Sequence, residues 1–229
     1  MLYKVGVYGS AVKEKDTVIA KAKALGQALG RRQDIIIING ACTGLPYIAS
    51  YEAAKAGREV WGFSPELDLE NQKRFTPNED ISIYTKLVYV PKDFLFAGNP
   101  MARKKYRNVI STASCDAGII ISGRWGTMNE FTNLFDMGKV IGVLTGTGGI
   151  ADELELLNQK VHKPGKAIVY FSRDPKELVK LVIGEVEKRK SANKINREKL
   201  LRDLEIVRSF KGKNKISLSQ FIIEDRQRH

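Results

Sequence analysis

Three short runs of small residues have the composition of anion-binding loops: Gly9-Ser10-Ala11, Gly40-Ala41-Cys42-Thr43-Gly44 and Ser122-Gly123-Arg124-Trp125-Gly126-Thr127. Each follows an apolar run and precedes a stretch with helical periodicity. Glycine lets backbone N–H groups approach an anion closely and tolerates φ > 0. The helix that follows adds unpaired N–H groups and the positive end of its dipole. One such loop often only makes a turn; three in one chain predict a site for a phosphorylated, nucleotide-like ligand. Thr127-Met128-Asn129-Glu130 has the spacing of a capping box, in which hydroxyl and carboxylate satisfy the first N–H groups of a helix. The same spacing puts Glu130 one turn into that helix, where a carboxylate can act as general acid or base. The two roles are compatible.

Other chemistries lack their residues. The first loop is not G-x-G-x-x-G, no G-x-x-x-x-G-K-[ST] occurs, and no G-x-S-x-G nucleophile elbow is present. The two histidines, His162 and His229, have no Cys or carboxylate at ligand spacing, so neither a metal site nor a cofactor is expected. Two cysteines, Cys42 and Cys115, do not make a disulfide framework, and a reducing, cytoplasmic setting is the expectation.

The elements that must position these loops alternate along the chain. Strands are predicted at Tyr3–Tyr8, Ile35–Ile38, Val60–Phe63, Ile83–Val90, Ala117–Ser122, Val140–Leu144 and Ala167–Phe171. Between them lie helices: one carrying Val18, Ile19, Ala22, Leu25 and Leu29, one through Ile48 and Ala53, then 100–114, 127–138, 151–161 and 174–190. Continuous apolar strands joined by helices require crossovers and burial on both faces. The expected fold class is therefore α/β: a doubly wound parallel sheet, Rossmann-like, over residues 1–190, with a C-terminal helical basic extension over 191–229. Loops of such a sheet gather at the carboxyl edge, where a crevice opens at the switch point. Segment 66–82 shows no period and is a candidate lid.

The chain has 229 residues, 43 % of them hydrophobic and 28 % charged, which is globular and excludes wholesale disorder. No apolar run is long enough to span a membrane, and no membrane partner is expected. The net charge of +12 suits polyanions and phosphorylated ligands. Residues 185–229 hold 13 Lys or Arg against 7 Asp or Glu, half of that excess. This makes the tail a candidate nucleic-acid contact, although no basic stripe interleaved with aromatics supports it. Lys188–Lys194 reads as a linker, Ile195–Phe210 as an amphipathic helix that docks on the core or on a second subunit, and 211–229 as a short strand or helix.

Residues 100–135 resemble the Lonely Guy (LOG) family and the wider SLOG superfamily, and come near its molybdenum cofactor carrier subgroup. The signature is P-G-G-x-G-T-x-x-E, preceded at fixed distance by an Arg-Lys or Arg-Asn pair and an Asp-Ala. Gly123, Gly126, Thr127 and Glu130 fall on the motif, Asp116-Ala117 on the dipeptide, and Arg107-Asn108 on the pair, with Arg107 20 residues before Thr127. Arg103, four residues earlier on the same helical face, is placed to reach the same phosphate. The likeness covers about residues 3–170, including Gly9-Ser10 and the run Asn39–Gly44.

The resemblance implies a Rossmann-like homodimer that cleaves the N-glycosidic bond of a nucleoside 5′-monophosphate, AMP or a cytokinin riboside monophosphate, to base and ribose 5-phosphate. It assigns Arg107 to phosphate or ribose, Gly126 and Thr127 to phosphate, and Glu130 to the ribose hydroxyls or water. Ser122 replaces the motif's proline, Arg124 its second glycine, and Ala41 stands where many relatives have glycine. If position 124 needs φ > 0, arginine costs roughly 1 kcal/mol or more there. The alternative expectation is accordingly a non-catalytic nucleotide sensor or molybdenum cofactor carrier. Lysine decarboxylation, an old family label, is not expected, because no lysine has a pyridoxal-binding context.

Overall fold

The computed structural model of the chain describes residues 2–161 and 164–209. The strand or helix expected within 211–229 and both histidines lie outside the described residues. Seven strands, β1 (Tyr3–Gly9), β2 (Ile35–Asn39), β3 (Glu59–Phe63), β4 (Lys86–Val88), β5 (Ala117–Ile121), β6 (Val140–Leu144) and β7 (Ile168–Ser172), form one parallel sheet in the order β4-β3-β2-β1-β5-β6-β7. The connecting helices are α1 (Asp16–Gly30), α2 (Leu45–Lys55), α3 (Leu69–Phe75), α4 (Pro100–Ser114), α5 (Trp125–Asp136) and α6 (Ile150–Lys160), and α7 (Pro175–Ser209) is the last described element. The expected doubly wound α/β fold is the one observed.

Adjacent strand residues serve opposite faces, as the two-residue period of a strand dictates. Val7, Ile37 and Ile119 pack with Val18 and Leu25 of α1, Ala49 of α2 and Leu178 and Val182 of α7. Their neighbours Tyr8, Ile38 and Ile120 pack with Phe131 and Leu134 of α5 and Leu154 of α6. Strands buried on both faces in this way have no polar alternation, which is why β2, β5 and β6 are fully buried apolar runs. The chain winds outward from β1 through β4, then returns to β5 on the other side of β1. The switch point therefore lies between β1 and β5.

Four local expectations change. The strand expected over Ile83–Val90 shortens to β4, preceded by a 3-10 turn at Ile81–Ile83. The aperiodic segment 66–82 contains α3, whose N-terminus is capped by the Asp68 carboxylate accepting from Asn71 N at 2.9 Å. Helix α5 begins at Trp125 rather than at Thr127. Residues 188–194, expected as a linker, are helical within α7, consistent with the high helix propensity of their Lys, Arg and Ala residues. The chain divides into one compact unit over Met1–Val186 and a second from Glu187 onward.

Candidate functional site

The carboxyl ends of β1, β2 and β5 deliver the three glycine loops to the switch point. After β1, Ser10 N donates to Ile121 O at 3.3 Å and Ser10 O accepts from Leu45 N at 2.9 Å, joining this loop to β5 and to the start of α2. After β2, the buried Asn39 donates to Ser50 Oγ at 2.7 Å and accepts from Ala41 N at 2.8 Å. Ala41 has φ 45°, a left-handed conformation costing an L-residue about 1 kcal/mol or more. Gln72 of α3 is buried and donates to Ala41 O at 3.0 Å while accepting from Ser64 Oγ at 2.5 Å. These bonds fix α3 beside the loops, and Phe75 at its end forms part of the cavity wall.

After β5 the backbone departs from the expectation for Arg124. Positive φ falls on Ser122 (52°) and Gly123 (101°), whereas Arg124 is extended at φ −131°. The predicted strain at Arg124 is therefore absent. A proline could not stand at position 122, because its ring holds φ near −65°. Ser122 instead donates from N to Thr147 Oγ1 at 2.8 Å and from Oγ to Glu14 Oε1 at 3.1 Å. The capping-box reading also fails: α5 starts at Trp125, two residues before Thr127, with Arg124 at the N-cap and no side-chain cap. Thr127 and Glu130 thus lie inside the helix, both buried.

Helix α4 supplies the opposing wall, capped by the Asn99 side chain accepting from Met101 N and Ala102 N. Arg107 lays its guanidinium directly on Gly40, where any Cβ would collide with Nη1. Its Nη1 stands 3.5 Å from Glu130 Oε1, and both side chains are about nine-tenths buried. Arg107 Nε and Asn108 Oδ1 are buried without a hydrogen-bond partner among the described residues. Asn108 donates through Nδ2 to Asn129 Oδ1 at 3.0 Å and Gly126 O at 3.4 Å, which directs Oδ1 as a vacant acceptor. Arg103 does not join them. It donates to Pro65 O, Ala97 O and Glu66 Oε2 at 2.8–3.0 Å, so its charge is spent fastening two loops and the expectation that it reaches the same anion is overturned.

The result is a cavity of about 530 Å³, within the range that holds small ligands. Of the residues expected at the site, Gly9, Ser10, Gly40, Arg107, Asn108, Arg124, Gly126, Thr127 and Glu130 are brought together in its lining. Thr43 and Gly44 face a separate cavity of about 230 Å³, and Gly123 a third of about 280 Å³. Lys104 and Lys105 add two cations to the main cavity that sequence reasoning did not single out. The signal was available, since Lys104 stands three residues before Arg107 on one helical face. Phe75 and Cys42, also in the wall, had no pattern to announce them. Burial pushes the Cys42 thiol up, with Arg107 opposing.

Burial raises Glu130 to about 7, against the smaller opposing pull of Arg107 and then Lys105. A carboxyl group that exchanges its proton near neutrality in a cavity lined by four cations, Lys104, Lys105, Arg107 and Arg124, can abstract a proton or stabilise developing positive charge. Among the described residues no group of three or more His, Cys, Asp or Glu could hold a metal ion, and no helix is long and apolar enough to cross a membrane.

A sequence model of the SLOG cluster4 family, LDcluster4, matches residues 2–179. No curated protein matches the chain. Among solved structures, the fold is similar to that of the structural-genomics target TM1055, at 19% identity and TM-score 0.62, covering 80% of this chain and 99% of that one. It is also similar to the molybdenum cofactor carrier protein of Chlamydomonas reinhardtii, at 16% identity and TM-score 0.57, covering 82% and 99% of the two chains. A third likeness is to DNA processing protein A of Helicobacter pylori, described for its single-stranded DNA binding, at 18% identity and TM-score 0.57, covering 80% and 81%.

The pH dependence of stability tests the electrostatics of Glu130. Its native value near 7 lies above the unfolded value of 4.5, so the native state binds more protons between them and loses stability as pH rises through that window. At about 1.4 kcal/mol per unit, ionisation costs about 3 kcal/mol above neutrality. Glu130→Gln is expected to match the parent protein at pH 4.5 and exceed its stability increasingly up to about pH 7, with a plateau above, in denaturant melts.

Proposed function

The chain belongs to the SLOG cluster4 family, and from that premise we propose that it is a nucleoside 5′-monophosphate phosphoribohydrolase of LOG type. The observation that carries this reading is the buried Arg107–Glu130 pair on the wall of a cation-rich cavity at the switch point. In this reading the phosphate of AMP, or of a cytokinin riboside monophosphate, lies at the uncapped N-terminus of α5, on the N–H groups near Gly126 and Thr127. Arg107 and Arg124 supply charge-assisted hydrogen bonds, and Asn108 Oδ1 accepts from a ribose hydroxyl.

The chemistry follows from the carboxylate. As the N-glycosidic bond breaks, its electron pair leaves with the base and C1′ of the ribose becomes cationic. Ionised Glu130, fixed in a dry wall, stabilises that charge and orients the water whose oxygen bonds to C1′. The water proton passes to the departing base, giving free base and ribose 5-phosphate. Removing a fixed charge of this kind typically costs a factor of about 10² or more in rate.

A second reading is a carrier or sensor that holds such a phosphorylated ligand, a nucleotide or the molybdenum cofactor, without cleaving it. Arg124, an exposed cation in place of the motif's second glycine, is the observation that favours it. Under either reading we propose a homodimer, which would cover the exposed apolar residues Leu95, Phe96, Met101 and Val109 at and before α4.

Two measurements test this. Incubation with AMP and with an N6-prenyl AMP, followed by chromatography, is expected to yield free base, with the rate rising with pH through about 7 and lost in Glu130→Ala. No base release while AMP still binds would leave the carrier or sensor reading. Light scattering at micromolar concentration is expected to report twice the chain mass of 25.6 kDa; the single-chain mass would remove the dimer.

A further inference from the structure

Arg124 lines two cavities at once. One contains Arg107 and Glu130; the other, of about 280 Å³, is walled by Gly123, Trp125, Gly149, Ile150 and Glu153. Trp125 opens α5 and is 82% exposed, although the residues on both sides of it, Arg124 and Gly126, belong to the main cavity. An isolated exposed hydrophobe is ordinary. An indole in the wall of a second depression that shares Arg124 with the cation-rich main cavity is a different matter.

That second depression is pre-formed. Ile150 N donates to Gly123 O at 2.9 Å, and Gly149, at φ 58°, abuts the Gly123 backbone so closely that a Cβ would collide with it. The Asp152 carboxylate accepts from Gly146 N at 2.6 Å and Gly148 N at 3.0 Å, which holds the β6–α6 loop behind it. Among the described residues the Arg124 guanidinium has no hydrogen-bond or ion-pair partner to turn it away from either cavity.

We propose that Trp125 is a stacking shelf for the second aromatic ring of a pyrophosphate-linked dinucleotide, with the linking phosphates beside Arg124 at the start of α5. This deepens the proposed function and rests on its placement of the nucleotide phosphate at that helix end. The flat indole face receives a base by stacking, which needs no particular base identity. The planar guanidinium fork of Arg124 matches the linking phosphate oxygens. Glu153, on the rim, accepts from an exocyclic amino group. A terminal monophosphate fills the main cavity and leaves the shelf empty; a dinucleotide fills both.

Calorimetric titration with AMP, ADP and di(adenosine-5′) diphosphate, on the parent protein and on Trp125→Ala and Trp125→Phe, tests this. ADP carries one more negative charge than the dinucleotide, so charge alone favours ADP. The shelf predicts instead that the dinucleotide binds on the order of tenfold tighter than ADP. That advantage should vanish in Trp125→Ala and largely persist in Trp125→Phe, with AMP affinity moving less than about twofold in either. Equal affinity for ADP and dinucleotide, with AMP binding intact, overturns the shelf alone. Equal weakening of AMP and dinucleotide by Trp125→Ala also overturns it, as does conversion of a dimer to a monomer, which would mean that a second copy covers the indole. Failure of all three ligands to bind the parent protein removes the nucleotide reading and the shelf with it.

Discussion

The close approach of the Arg107 guanidinium to the backbone of Gly40 is the constraint on which the site depends. It is possible only because position 40 has no Cβ and because β2 ends one strand away from the switch point. Seated there, Arg107 faces Glu130 from α5, so elements from both windings of the sheet meet in one buried ion pair. Such a pair is a poor source of stability, since desolvation of two charges offsets much of their attraction. Here burial leaves the carboxyl near neutrality, and among the described residues the guanidinium keeps an unsatisfied Nε, so neither group is fully satisfied by the other.

The remaining parts of the site answer to the same constraint. Asn39 and Gln72 hold the Gly40–Ala41 turn in its left-handed shape from opposite sides, and both are buried. Arg103, one turn before Arg107, is consumed by loop carbonyls and Glu66, which anchors the start of α4 and fixes where Arg107 points. Strain at Ala41 and Ser122 is concentrated in the loops beside the cavity, where such cost usually accompanies function. The cations of α4 and Arg124 then make the cavity wall cation-rich.

Much of this was legible in the sequence, for identifiable reasons. Buried parallel strands leave unbroken runs such as Ile35–Ile38 and Ala117–Ile121, and glycines at strand ends mark where backbone must come close to something. Position 41, where glycine is the commoner residue in the resembling family, does adopt φ > 0. What stayed hidden depends on contacts distant in sequence. Nothing local distinguishes Arg103 from Arg107, yet loops some 40 residues away decide that one is structural. α3 is held by Gln72 and an Asp68 cap rather than by an apolar stripe, so it has no period to read. The capping-box spacing was misleading because α5 extends back to Trp125, and the positive φ fell on Ser122 and Gly123, just before the position the motif suggested.

The most direct test of the account adds a single methyl group. Gly40 is not in the left-handed region and the atoms its Cβ would meet are the far end of the Arg107 side chain, so Gly40→Ala can fold by moving that guanidinium aside. Titration calorimetry with AMP, set beside a denaturant melt, separates the two consequences. The account predicts a cooperatively folded protein whose stability falls by less than the roughly 3–5 kcal/mol that removing one partner of a buried ion pair costs, since both charges remain, and a loss of AMP affinity of about tenfold or more, the share of one charge-assisted contact. Unchanged AMP affinity in a folded Gly40→Ala protein would contradict it, because the seat of Arg107 would then have no bearing on the ligand.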